Sequence, residues 1–238
     1  MRLLIVIPAR NEAASLPRVV EDLRRRAPPG DVLVVDDASD DETAELLPRL
    51  GVRRLRLGRR MGIGGAVRAG LRYAQRMGFD TVVRFDGDGQ HLAREIPRLL
   101  EPLAAGRAEA VLGSRYLAAS VSAGYRSAGL RRAGKRRLAA LMSLATGRTL
   151  TDPTSGFWAF GPRLVELLAR HHPTGYPEPE LLLFLHRNGC RVVEVATEMG
   201  PRLAGRTSLT ALRALQALAR VVLALVIVPL RATVGGDE

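Results

Sequence analysis

Two aspartates separated by one glycine follow a short apolar run near the middle of the chain. Asp86 and Asp88 lie in the sequence Phe-Asp-Gly-Asp-Gly-Gln-His. In extended chain, side chains two residues apart project to the same side, so both carboxylates and the amide of Gln90 can face one hard cation. The intervening glycines let a bulky ligand such as a metal-bound diphosphate approach the backbone. The spacing predicts a divalent-cation site, and we expect both mutually repulsive carboxylates to face solvent in its absence.

Spacing excludes two familiar alternatives for this loop. In a calcium EF-hand starting at Asp86, the sixth residue would be glycine and the twelfth glutamate, but this chain has His91 and Pro97 there. The glycine patterns of dinucleotide-binding folds and of P-loops do not occur in the required context. A solvated turn rich in aspartate and glycine remains the non-functional alternative.

The elements that position this loop are predicted from alternating apolar runs and amphipathic stretches. Such alternation is typical of βαβ units and of an open, mainly parallel α/β sheet with flanking helices. Strands are predicted at 3–7, 32–35, 53–57, 81–85, 110–112, 157–160 and 192–196, and helices at 12–26, 41–50, 64–77, 94–105 and 130–146. Asn11 and Asp40 are the predicted N-caps of the first two helices.

Polar residues also follow the first two predicted strands. The run Pro-Ala-Arg-Asn-Glu at 8–12 follows the first strand, and Asp36-Asp37 follows the second. Ligands of open α/β sheets bind outside the carboxyl ends of the strands. We therefore expect these residues to share one site with Asp86 and Asp88.

A set of short motifs in one order resembles a known family. The motifs are Pro8-Ala9-x-Asn11-Glu12, Val35-Asp36-Asp37-Ala38-Ser39-Asp40-Asp41-x-Thr43, Gly62-x-Gly64-Gly65-Ala66, Asp86-Gly87-Asp88-Gly89-Gln90-His91, Gly113-Ser114-Arg115-Tyr116 and Asp152-x-Thr154-Ser155-Gly156-Phe157. They resemble the family 2 glycosyltransferases, in the branch similar to dolichyl-phosphate mannosyltransferase. Each motif is short, but the ordered set is hard to obtain by chance. The resemblance implies a GT-A catalytic domain over residues 1–208.

The same resemblance implies a nucleotide-sugar donor, such as GDP-mannose or a UDP-sugar, and a Mg²⁺ or Mn²⁺ ion. Carried over by position, the nucleoside contacts are Pro8, Glu12 and Asp36, and the metal ligands are Asp86, Asp88 and Gln90. Arg115 would face phosphate, and Arg202 belongs to a stretch that resembles the family's phosphate-gripping loop. Asp88, Arg115 and Asp152 are the catalytic candidates on the donor side.

The implied acceptor is a polyprenyl phosphate, bound by Arg131 or Arg132 of the basic helix. A phosphate monoester is already ionised at neutral pH and needs no general base, and direct displacement by it inverts the anomeric carbon. The alternative is a soluble metal-dependent transferase with a hydroxyl acceptor, in which Asp152 or Glu178 would be the base. The Glu-Asp pair and the Gln-x-x-Arg-Trp stretch of hydroxyl-acceptor polymerising relatives do not occur in this chain.

Charge and hydropathy bear on location and partners. The net charge of +12 suits an anionic partner, but the few aromatic residues and the lack of a recognised nucleic-acid motif argue against nucleic acid. No signal peptide is recognised at the N-terminus, which predicts a cytoplasmic protein. The apolar segment at 209–238 contains too short an uninterrupted run to span a bilayer. It predicts an amphipathic helix that either binds the inner membrane face peripherally or packs on protein, including a second subunit.

The adjacent histidines His171 and His172 precede a proline. Neighbouring residues do not share one helix face, so a shared metal is not expected. We predict that both lie at a solvated helix end.

Overall fold

A single mixed sheet organises the chain. The computed structural model describes residues 1–117, 129–175 and 177–203. Seven strands lie in the order β3-β2-β1-β4-β6-β5-β7. They are β1 (Leu3–Ala9), β2 (Asp31–Asp36), β3 (Arg53–Arg56), β4 (Thr81–Arg84), β5 (Ala110–Ser114), β6 (Trp158–Phe160) and β7 (Val192–Ala196). Only β6 runs antiparallel to its neighbours in this sheet. The predicted open, mainly parallel α/β architecture is confirmed.

Seven α-helices and one 3-10 turn are present in the described residues. The helices are α1 (Leu16–Arg26), α2 (Thr43–Leu46), α3 (Gly62–Arg76), α4 (Ile96–Ala104), α5 (Gly129–Thr146), α6 (Pro162–His171) and α7 (Pro177–Arg187), and the 3-10 turn (Ala93–Glu95) precedes α4. The predicted starts of α1 and α2 were four and two residues too early, and α2 ends at Leu46 rather than at residue 50. Both helices begin after a polar loop that belongs to the strand ends.

The two predicted N-caps were wrong because the residues bind each other instead. Asn11 has a φ of 57°, in the left-handed region, so it cannot begin a helix there. Its side-chain carbonyl accepts a hydrogen bond from the amide of Asp40 at 3.1 Å, and its amide donates to the Asp40 carboxylate. Ser15 precedes α1, and Glu42 precedes α2. The pair therefore ties the loop after β1 to the loop after β2.

Apolar side chains cover both faces of the sheet. Along β1, Leu4 and Val6 belong to one buried cluster, whereas Leu3, Ile5 and Ile7 belong to the other. This alternation is the two-residue period of a strand. Burying one such side chain stabilises the fold by about 1.5–3 kcal/mol. The central strands are thus held rigidly from both sides, which fixes the positions of the loops at their ends.

Some predictions fall outside the described residues. These are the boundary at residue 208, the tail helix at 209–238 and the side chains of Arg131 and Arg132. Within the described residues, no helix combines the length and apolar character required to cross a bilayer.

Candidate active site

The carboxyl ends of β1, β2 and β4 bring the predicted residues together. β1 pairs with β2 on one side and with β4 on the other, both in parallel register. Pro8 lies opposite Val35, and Ala9 lies opposite Asp36. The amide of Asp37 donates to the carbonyl of Ala9 at 2.8 Å, which extends the pairing past the strand ends. The three polar segments therefore share one edge of the sheet, as expected.

Asp86 is held from two sides. Its Oδ1 lies 3.4 Å from Nε of Arg84 and is buried without a hydrogen-bond partner, so Oδ2 is the accessible oxygen of a carboxylate whose side chain is 27% exposed. The Asp86 amide donates to Nδ1 of His91 at 2.9 Å. Burial acts to raise the pKa of Asp86, but the Arg84 guanidinium and other positive groups outweigh it, so this pKa lies below its ordinary value. The carboxylate is thus ionised near neutral pH.

Asp88 is covered by a distant segment of the chain. Its Oδ1 accepts the Gln90 amide at 2.9 Å, and its Oδ2 lies 2.8 Å from Nη2 of Arg202. Leu203 donates its amide to the Asp88 carbonyl at 3.0 Å. Asp88 is only 7% exposed, so the expectation that it faces solvent is wrong. A guanidinium already balances its charge.

The segment Gly200 to Leu203, here called the strap, fits closely on the loop 86–91. The amide of Gly200 donates to the Gln90 carbonyl at 2.9 Å. Gly89 has a φ of 80°, in the left-handed region, and the side chain of Leu203 packs directly over it. The backbone conformation therefore favours glycine at position 89, and the missing side chain leaves room for Leu203.

Glu12 adds a third negative group to this edge. Its Oε2 accepts a hydrogen bond from the Ser15 hydroxyl at 2.5 Å. Burial raises the pKa of Glu12, and the negative charges of Asp88 and Asp86 raise it further against the opposing effects of Ser15 and Arg202. Three carboxyl groups thus interact electrostatically in one place, which favours a bound cation.

Asp36 and its neighbour Asp37 have different tasks. Asp36 is fully buried, and its Oδ1 accepts the Ser39 amide at 2.9 Å. Its Oδ2 is buried 3.5 Å from Nε of Arg56 and has no hydrogen-bond partner within the described residues. Asp37 accepts the amides of Met61 and Gly62 at 2.6 and 2.8 Å, and so caps the N-terminus of α3. Asp37 thus supports the fold, whereas Asp36 keeps one carboxylate oxygen without a hydrogen-bond partner.

Arg115 and Asp152 form a bidentate ion pair after β5. Arg115 Nε and Nη2 donate to the two Asp152 oxygens at 2.5 and 2.7 Å, and Asp152 is fully buried. Glu194 on β7 accepts the amides of Thr151 and Asp152 and thereby fixes the loop. Burial raises the pKa of Glu194 despite these hydrogen bonds. Both carboxylate oxygens of Asp152 are therefore occupied by the ion pair with Arg115.

The glycosyl transferase family 2 model matches residues 4–166. The chain belongs to this family. It is 33% identical over 218 residues to an undecaprenyl-phosphate mannosyltransferase of Micrococcus luteus, with 88% of each chain covered. It is 27% identical over 210 residues to a UDP-N-acetylglucosamine–dolichyl-phosphate N-acetylglucosaminyltransferase of Methanococcus voltae, covering 80% of this chain and 82% of that one.

A solved structure with the same fold contains a metal ion. It is glucosyl-3-phosphoglycerate synthase of Mycobacterium tuberculosis in complex with Mn²⁺, uridine diphosphate and glucosyl-3-phosphoglycerate. The likeness has a TM-score of 0.69 at 25% identity and covers 94% of this chain and 78% of that chain. This chain therefore has the GT-A fold that its sequence motifs imply.

The transferase's own residues fit a hard divalent cation. The accessible Oδ2 of Asp86, Oδ2 of Asp88 and the amide of Gln90 are oxygen donors of the preferred kind. Arg202 already provides a positive charge at Asp88. Across residues 1–117, 129–175 and 177–203, no three His, Cys, Asp or Glu side chains form a ready-made metal centre. Cations of the Mg²⁺ type are usually held by one or two carboxylates together with substrate phosphates.

Sequence reasoning missed several residues of the transferase site. Arg84, the last residue of the fully buried strand β4, was unassigned, although a charged residue in such a strand was a usable signal. Glu194 and the positioning contact of His91 were also missed. Glu178, the other candidate base, lies in the first turn of α7 and pairs with Arg84 at 2.8 Å.

The prediction for the two histidines was half wrong. His171 is exposed at the end of α6, but His172 is only 2% exposed. Burial lowers the pKa of His172 to about 3, and the positive charge of Arg84 acts in the same direction. His172 is therefore a neutral interior residue at neutral pH.

Proposed function

We propose that this glycosyltransferase moves a hexose from a nucleotide sugar, GDP-mannose or a UDP-sugar, to a polyprenyl phosphate with inversion at the anomeric carbon. The first supporting fact is the 33% identity to the undecaprenyl-phosphate mannosyltransferase over most of both chains. The second is that the N-acetylglucosaminyltransferase relative also has a lipid phosphate in its name. The shared element is the acceptor class, whereas the sugars differ.

Both candidate general bases are bound by arginines, and this observation decides between a phosphate and a hydroxyl acceptor. Asp152 has both oxygens bound by Arg115, and Glu178 is bound by the buried Arg84. A carboxylate held by a guanidinium is stabilised in its charged form and is a poor proton acceptor. A hydroxyl acceptor requires such a base, whereas a phosphate acceptor does not. The geometry therefore favours phosphate over the soluble, hydroxyl-acceptor alternative.

The donor would bind at the edge formed by β1, β2 and β4. Asp36, whose Oδ2 has no hydrogen-bond partner within the described residues, would accept a hydrogen bond from the nucleoside, with Pro8 and Glu12 as the other nucleoside contacts. Asp86, Asp88 and Gln90 would hold Mg²⁺ or Mn²⁺ against the diphosphate. When bound, the ion would supply positive charge that offsets the charge developing on the leaving group. Arg115 and Arg202 would add positive charge at the same edge, which stabilises the leaving diphosphate.

The reaction then needs no proton transfer. An oxygen of the acceptor phosphate attacks the anomeric carbon and forms a new carbon–oxygen bond. The bond from that carbon to the β-phosphate oxygen breaks, and its electron pair leaves with the nucleoside diphosphate. Arg131 or Arg132 on the basic helix would orient the attacking phosphate, since arginine binds phosphate in a bidentate manner.

The acceptor also implies a place of action. A polyprenyl phosphate lies in a membrane, so the enzyme would work peripherally at the inner face of the cell membrane from the cytoplasmic side. The apolar segment at 209–238 would provide the contact or pair two copies, and the net charge of +12 favours an anionic surface.

Exchange of the acceptor tests this function. The full chain is given Mn²⁺ and labelled nucleotide sugar with polyprenyl phosphate, free polyprenol or soluble sugars as acceptors. Transfer to the phosphate alone is expected, because only that acceptor is ionised without a base. Transfer to free polyprenol or to soluble sugars would instead support the hydroxyl-acceptor alternative.

A further inference from the structure

An arginine is buried at the end of the strand that leads into the predicted metal loop. Arg84 is the last residue of β4 and is 1% exposed. A buried cation is strongly unfavourable unless it is paired, because several kcal/mol of hydration free energy are lost per ion. Apolar residues would cover the sheet at lower cost. The position of this charge therefore calls for an explanation from its partners.

Arg84 lies between two carboxylates from different parts of the fold. Its Nη2 donates to Oε1 of Glu178 at 2.8 Å, and its Nε lies 3.4 Å from Oδ1 of Asp86. Glu178 is in the first turn of α7, far from Asp86 in sequence. The guanidinium thus joins helix α7 to the loop that follows β4.

Gly156 makes room for this arrangement. A Cβ at position 156 would lie 2.5 Å from Oδ2 of Asp86 and 2.9 Å from Nη2 of Arg84. Any side chain there would displace one of the two charged groups. The contact between Arg84 and Asp86 therefore depends on the absence of a side chain at Gly156.

The contact with Arg84 makes the two carboxylate oxygens of Asp86 differ in accessibility. Oδ1 is buried against Arg84, so the accessible oxygen is Oδ2. His91 Nε2 lies 3.8 Å from Oδ2 and restricts the carboxylate on the other side. A carboxylate fixed in this way presents a single oxygen outward with little freedom to rotate.

We propose that Arg84 is a positioning residue for the metal ligand Asp86, and that Glu178 is the anchor that holds Arg84 in place. This inference rests on the proposed function, in which Asp86 binds the divalent cation. Groups that orient a metal ligand contribute strongly to metal affinity, and losing one typically costs 10–100-fold. The pair also connects the donor edge to α7, which packs against the basic helix α5.

The test uses a variant that removes the tether and leaves the net charge unchanged. Arg84→Met alone would leave Glu178 as an unpaired, largely buried carboxylate, with a risk of unfolding. The double variant R84M/E178Q neutralises both members and keeps similar volumes. Replacing a buried ion pair by neutral residues is often close to neutral in stability, and Asp86, which also loses Arg84, has a side chain that is 27% exposed, so this variant should fold. Its Mn²⁺ dissociation constant, from electron paramagnetic resonance titration of the full chain, should rise about 10-fold or more.

A matched control is available elsewhere in the fold. Arg163 Nη1 lies 2.7 Å from Oε1 of Glu109, next to the opposite end of β5. The double variant R163M/E109Q makes the same two substitutions away from the metal loop. Its Mn²⁺ affinity should equal that of the wild type.

A second variant keeps both charges and alters only the geometry. Glu178→Asp shortens the anchor by one methylene, so Arg84 is drawn from its place beside Asp86. Its Mn²⁺ dissociation constant should also rise, and the apparent KM for the metal should increase more than kcat falls. This variant decides the question if R84M/E178Q does not fold.

The outcomes separate the inference from the function on which it rests. A weaker Mn²⁺ affinity in the Arg84 and Glu178 variants, with the control unchanged, supports the inference. Wild-type affinity in folded R84M/E178Q or in E178D overturns it. Failure of the wild-type chain to bind Mn²⁺ at all would contradict the proposed metal site itself.

Discussion

Nη2 of Arg202 lies 2.8 Å from Oδ2 of Asp88, so a guanidinium from the strap occupies one face of the predicted metal ligand. The strap is fixed there by the amide of Leu203, which donates to the Asp88 carbonyl. A cation that binds Asp88 must compete with Arg202 for this oxygen. Metal binding at Asp88 would therefore be coupled to the position of the strap.

The first prediction concerns this competition. Arg202→Gln removes the positive charge, so Mn²⁺ alone should bind about 5-fold more tightly, equivalent to about 1 kcal/mol for a partly exposed ion pair. Turnover should fall, because the same arginine would no longer contact substrate phosphate. Arg94→Gln is the control, since Arg94 pairs with Glu198 at 2.6 Å just before the strap. Unchanged or weaker Mn²⁺ binding in Arg202→Gln would contradict the competition.

Asp88→Asn tests the ligand itself. The amide oxygen can still accept the Gln90 hydrogen bond, so the fold should be kept, but one negative charge is lost. Metal-dependent turnover should fall by at least the ~100-fold that loss of a supporting group can cost. Asp80→Asn, at the opposite end of β4, is the matched control and should retain turnover. Equal turnover in wild type and Asp88→Asn, assayed at saturating donor, would argue against a metal role for Asp88.

Asp152→Asn distinguishes a structural partner from a catalytic base. The substitution leaves the largely buried Arg115 without its counter-ion, so unfolding in urea should show a loss of about 3 kcal/mol. The double variant R115M/D152N should recover much of that stability. Asp152→Asn could instead keep wild-type stability and lose the rise in activity with pH that a general base produces. That result would identify Asp152 as a base and support the hydroxyl-acceptor alternative.

His172 makes stability depend on pH. Its pKa is about 3 in the folded protein, against an ordinary value near 6.5, so the unfolded chain binds its proton first as pH falls. The contribution of neutral His172 to the free energy of unfolding is fully present above pH 6.5 and is lost on acidification. From pH 7 to pH 5 it should remove ~2 kcal/mol from the free energy of unfolding. Urea titrations of wild type and His172→Gln at both pH values measure the difference, and equal pH dependence would contradict a neutral, buried ring.

The strand ends and their polar residues could be predicted from the sequence because local patterns determine them. Alternating apolar runs marked each strand, and motifs placed Asp36 and Asp86 directly after two of them. The parallel register of β1 with β2 and β4 then brought these residues to one edge. Local sequence was sufficient for this part of the site.

The errors involve contacts between residues far apart in the chain. Asn11 and Asp40 are residue types that often cap helices, but here they hydrogen-bond with each other. Asp88 lies in a loop that would be solvated on its own, yet the strap covers it. Arg84 is paired with Glu178, which is distant in sequence, as well as with the nearby Asp86. No local pattern encodes such pairings, because they depend on how the sheet and helices pack.

The most direct measurement is a donor panel with a lipid acceptor. GDP-mannose, UDP-glucose and UDP-N-acetylglucosamine are each incubated with the full chain and polyprenyl phosphate, with Mn²⁺ or with a chelator, and labelled lipid product is counted. We expect phosphate-linked product from at least one donor, and only with the cation. Product formed equally with the chelator, or no product from any donor, would contradict it.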